Sequence, residues 1–64
     1  MYRLFVEGPK EFPILIGRRP NKQKAAREAK SLLEQYKKAW VEDEDQRRVY
    51  SCWTTKDGIA SRGE

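Results

Sequence analysis

The chain has no histidine, one cysteine and no apolar run longer than a few residues. Each absence closes off a class of protein. Without histidine there is no Ser–His or Cys–His nucleophile pair, no ordinary general base near neutral pH, and none of the commonest metal ligand. Cys52 stands alone, so no disulfide forms within the chain. A membrane helix needs about 20 consecutive apolar residues, and nothing here approaches that. The opening Met1-Tyr2-Arg3-Leu4 lacks the apolar core and small-residue cleavage site of an export signal. With an unpaired thiol, this points to a reducing, cytoplasmic setting. Gly8, Gly17, Gly58 and Gly63 stand apart, so no glycine-rich loop cradles a phosphate.

Chemistry is scarce in what remains. Cys52 lies between Ser51 and Trp53 in a strand-like segment, with no helix N-terminus nearby to lower its pKa, and reads as a small packing residue. The acidic run Glu42-Asp43-Glu44-Asp45 lacks the glycine-turned spacing of a calcium loop and reads as solvated. No cofactor, metal or catalytic residue is expected, and the chain is read as non-enzymatic.

With 64 residues the chain has material for one hydrophobic core. A domain of that size buries only about 60% of the surface its unfolded chain exposes. Tyr2, Leu4 and Val6 alternate with Arg3, Phe5 and Glu7, a period-two pattern that predicts a strand. Gly8-Pro9 marks a turn, and residues 12–16 supply a second strand. Pro13 places that strand at an edge or starts it there. The two make a hairpin over residues 2–16, and Gly17 to Pro20 breaks the pattern. Asn21 is a good helix N-cap. Residues 22–40 hold no Gly or Pro, and Ala25, Ala29, Leu32, Leu33, Tyr36 and Trp40 form one stripe at spacings of three and four. A helix over 21–40 follows, then an acidic loop over 41–47 and a strand over 48–55. Lys56-Asp57-Gly58 is a turn that could return a short fourth strand before the tail ends at residue 64.

The predicted fold is therefore α+β: a small antiparallel sheet, β-β-α-β with an optional fourth strand, and one amphipathic helix packed on one face. This element order is similar to that of many small bacteriophage and toxin–antitoxin proteins. The likeness is one of topology, carries no residue motif and transfers no function.

Two surfaces stand out as candidates for binding. Fourteen Lys and Arg against ten Asp and Glu give a net charge of +4, and the excess is uneven. Arg18, Arg19, Lys22, Lys24, Arg27 and Lys30 face only Glu28 in their window. Cations at a helix N-terminus oppose the helix dipole by about 0.3–1 kcal/mol each, so the cluster Arg18, Arg19, Lys22, Lys24 and Arg27 is a candidate anion site. The plain alternative is a solvated face held by pairs such as Lys24–Glu28 or Lys30–Glu34. The second surface is geometric. One helix covers one face of a sheet, so Phe5 and Leu15, with either Tyr50 or Trp53, should lie on the uncovered face. The plain alternative there is that the tail beyond Gly58 folds over them. The leading expectation is a protein-binding module, a regulator, inhibitor or adaptor whose partner is another protein or a second copy. The alternative is a nucleic-acid-binding module contacting phosphates through the same basic patch.

Overall fold

The computed structural model describes residues 1–63. The elements are β1 (Tyr2–Glu7), a short 3-10 turn (Pro9–Glu11), β2 (Pro13–Arg19), α1 (Lys22–Leu32), β3 (Lys38–Glu42), β4 (Arg48–Thr55) and β5 (Gly58–Gly63). The five strands form one open sheet in the order β2-β1-β3-β4-β5, with every neighbouring pair antiparallel. The single helix packs against this sheet, so the fold is the α+β arrangement that the sequence predicts. No helix among the described residues is long and apolar enough to cross a membrane.

The alternation in β1 does what a half-buried strand requires. Leu4 and Val6 are fully buried beneath α1, and Phe5 points the other way. Leu4 and Val6 stand opposite Val41 and Ala39 of β3, and Ala39 stands opposite Cys52 of β4. Ala25, Ala29 and Leu33 close the cluster from above, with Leu32 and Tyr36 packed at its margin. Small alanines let the helix approach the sheet closely. Asn21 caps it as expected, its Oδ1 accepting from the backbone N–H groups of Gln23 at 2.8 Å and Lys24 at 3.3 Å.

The expected helix over 21–40 is too long. α1 ends at Leu32, and Tyr36 closes the exit with its N–H on the Leu32 carbonyl at 2.9 Å. Residues 38–42 become the central strand instead. In Ala39-Trp40-Val41 the two small or branched residues point to the helix, and Trp40 points away. This strand satisfies the free edge of β1 along its length, a tertiary gain that outweighs the helix propensity of the segment. The acidic loop shrinks accordingly, since Val41 and Glu42 belong to β3. The break at Gly17 is also overturned. A β-bulge sets Gly17 opposite Leu4 while Leu15 stays opposite Phe5, and β2 runs on to Arg19.

The β3–β4 connection is built on Asp43. Its Oδ1 accepts from the N–H groups of Asp45 at 2.9 Å and Arg47 at 3.0 Å, while its own N–H donates to the Arg47 carbonyl at 2.9 Å. The Arg3 guanidinium donates to its carbonyl at 3.2 Å. The acidic run is thus an ordered side-chain-capped turn, with Glu44 and Asp45 exposed. At the β4–β5 turn Gly58 has φ 134°, a conformation that other residues rarely adopt. Asp43→Ala is expected to destabilise the fold by about 1 kcal/mol, and Asp43→Asn, which keeps an acceptor, by less. Urea denaturation of the three proteins measures both differences.

Candidate functional site

β5 extends the sheet sideways. Its residues pair with β4 from Thr55–Gly58 to Tyr50–Gly63, and they do not fold over the face opposite α1. Among the described residues, β5 therefore leaves that face uncovered. Residues directly opposite in an antiparallel pair share a face, so the register maps it in rows. The central row runs Leu15, Phe5, Trp40, Ser51, Arg62. One row beyond lie Arg18, Arg3, Glu42 and Arg48. On the other side Trp53 stands between Lys38 and Ala60.

Of the four residues expected on this face, Phe5, Leu15 and Trp53 are there. Tyr50 is not. It stands opposite Val41, packs against the core under the helix, and buries its phenol oxygen. The strict alternation of β4 allows only one of Tyr50 and Trp53 outside, and the shared side of Tyr50 and Cys52 decides for Trp53.

Trp40 organises the open face although the sequence places it on the helix stripe. Only 7% of it is exposed. Phe5 stacks beside it with ring centroids 5.7 Å apart and planes within 11°. The Arg48 guanidinium lies 4.4 Å from its ring centre, a cation–π contact. Its indole N–H donates to Glu42 Oε2 at 2.9 Å. A shallow depression of about 480 Å³ follows, bordered by Lys38, Trp40, Arg48, Ser51 and Trp53. Pro13 borders it from β2, and Leu15, at the β2 end of the central row, is 47% exposed.

The charges of this face are unbalanced. It carries the cations Arg3, Arg18, Lys38, Arg48 and Arg62 and the carboxylates Glu7 and Glu42, and the exposed Glu11 of the 3-10 turn also borders its depression. Glu7 and Glu42 are occupied: Glu7 lies 3.6 Å from Lys38, and Glu42 takes the Trp40 N–H and lies 3.9 Å from Arg3. Among the described residues, Arg18, Arg48 and Arg62 have no carboxylate partner.

The basic patch expected at the helix N-terminus is divided by the sheet. Arg18 stands opposite Arg3 and joins the open face. Arg19 turns to the helix side, where its guanidinium grips Glu28 in a two-pronged pair at 2.7 and 2.8 Å. Glu28 thereby neutralises Arg19 rather than Lys24. Lys24 and Arg27 are exposed on α1, and Lys22 is half-buried. Cys52 is buried, and that burial pushes its thiol up from its ordinary pKa. No three or more Cys, Asp or Glu side chains converge into a metal-holding group among the described residues.

No protein-family model, curated protein or solved structure matches the chain.

The hydrogen bonds and charge of Arg19 hold the Glu28 carboxyl below its ordinary pKa. A carboxyl with a lowered folded-state pKa stabilises the fold above its unfolded value, and that contribution fades as pH falls through the folded one. The loss is expected below the ordinary glutamate range. Glu28→Gln is expected to lose a little stability at pH 7 and to show a flatter acid limb, read by thermal melts across pH.

Proposed function

We propose that the chain acts by binding, and that its open sheet face docks the phosphate backbone of a nucleic acid. The observation that carries this is the row Arg18, Arg3, Arg48 with Arg62 beside it. Among the described residues, three of these arginines lack a carboxylate partner, while Glu7 and Glu42 on the same face are already engaged. Guanidinium groups match phosphate oxygens in a fork geometry and stay charged at all relevant pH. The seat of binding moves from the helix N-terminus to the sheet, because Arg19 is committed to Glu28 while Arg18 is not.

A protein partner or second copy is the other reading, and the β2 edge favours it. Phe12, just before β2, is 67% exposed, and Ile14, Leu15 and Ile16 are exposed on β2 itself. An apolar edge is a template for strand addition. Three features of that strand work against it. Pro13 lacks a backbone donor, the bulge interrupts the register after Leu15, and Arg18 and Arg19 place charge at its far end. We therefore rank it second.

Fluorescence anisotropy with a labelled oligonucleotide tests the first reading. Affinity is expected to fall steeply between about 50 and 200 mM salt, as displaced counterions return. Arg18→Ala and Arg62→Ala are each expected to reduce the salt slope by about one while leaving the melting temperature unchanged. A slope near zero, or no binding at low salt, would contradict it. Sedimentation of the free chain tests the second reading: a dimer dispersed by Phe12→Lys would favour it.

A further inference from the structure

We infer that the open face takes single-stranded nucleic acid, with unpaired bases laid on Trp53 and Phe5 and phosphates along the arginine row. This rests on the phosphate-docking reading of the same face and adds which form of nucleic acid it fits. The first argument is width. Five strands at about 4.8 Å spacing make a face about 19 Å across, whereas the major groove of a duplex is about 12 Å wide and admits a helix or a two-stranded ribbon. A five-stranded face of that width is too broad to enter the groove and meets a duplex at its outer phosphates.

The second argument is the order of the rows. Arg18, Arg3 and Arg48 occupy one row, and Phe5 lies one row away, about 6.6 Å along the strand direction, with Arg62 at the far end of its row. Trp53 lies a further row beyond, on β4. A strand running across the sheet would place its backbone over the cations and its bases over the rings. Phosphates alone would leave Phe5, Leu15 and Trp53 in contact with water, whereas unpaired bases would cover them. Base–aromatic stacking is also indifferent to sequence, because every base has a π face. Trp40 supports the platform without contacting the ligand: it lies beneath Arg48 and holds Phe5 flat by stacking.

The test uses the full chain with oligo(dT), oligo(U), a DNA duplex of matched length and inorganic polyphosphate. Oligo(dT) and oligo(U) are expected to bind at least about tenfold more tightly than the duplex; the preference between them tells DNA from RNA. They are expected to quench tryptophan emission, and polyphosphate is not. Trp53→Leu is expected to weaken oligo(dT) binding about tenfold without changing polyphosphate binding. Trp53→Phe, which keeps a ring, is expected to bind but to lose most of the quenching, because Trp40 is covered. The wild-type quenching needs no variant, so the test survives if Trp53→Leu does not fold. Equal binding of single strand, duplex and polyphosphate would overturn the stacking inference and leave phosphate docking standing. No binding to any of the four probes would overturn both.

Discussion

The antiparallel pairing of β1 with β3 is the constraint from which the two faces follow. Across that seam Leu4 meets Val41 and Val6 meets Ala39, all buried under the helix. Because side chains alternate strictly along a strand, the same register sends Phe5 and Trp40 together to the opposite side. A slip by one residue would exchange the two sets and put the aromatic pair beneath α1, where Ala25 and Ala29 leave little room. The helix thus selects the register through its small residues, and the register in turn defines the open face.

That face is not left to water unprotected. Trp40 is nearly as buried as the core, covered by Arg48 above and Phe5 alongside, and anchored by its N–H to Glu42. Part of that cover is a cation, which leaves positive charge over the ring. Glu7 and Glu42 on this face are both committed to contacts within the fold, Glu7 to Lys38 and Glu42 to Trp40 and Arg3. Binding chemistry on this face accordingly comes from what the carboxylates leave over.

Several of these features were legible in the residues alone. Period-two alternation located β1 and β4, Asn21 marked the helix start, and Lys56-Asp57-Gly58 marked the last turn. One helix facing a sheet implied an open side, and Phe5, Leu15 and Trp53 are on it. The central strand was hidden because Tyr36 and Trp40 satisfy a helical spacing of four while Ala39, Trp40 and Val41 also alternate. Only the need of β1 for a second partner separates these possibilities, and that is a long-range fact. Gly17 read as a break because a bulge has no signature beyond the glycine itself. Tyr50 and Trp53 were indistinguishable by pattern, since β4 is amphipathic in either phase until Cys52 is placed. The division of Arg18 from Arg19 depends on that same unseen bulge.

The central claim is that ligand meets the protein on the face away from the helix. Backbone and indole N–H resonances followed by NMR during titration with oligo(dT) test this most directly. The account predicts shifts at Arg3, Phe5, Ser51, Arg62 and the Trp53 indole, with Ala25, Ala29 and Leu33 unmoved. Shifts confined to the first turn of α1 around Lys24 and Arg27, with the sheet silent, would contradict it.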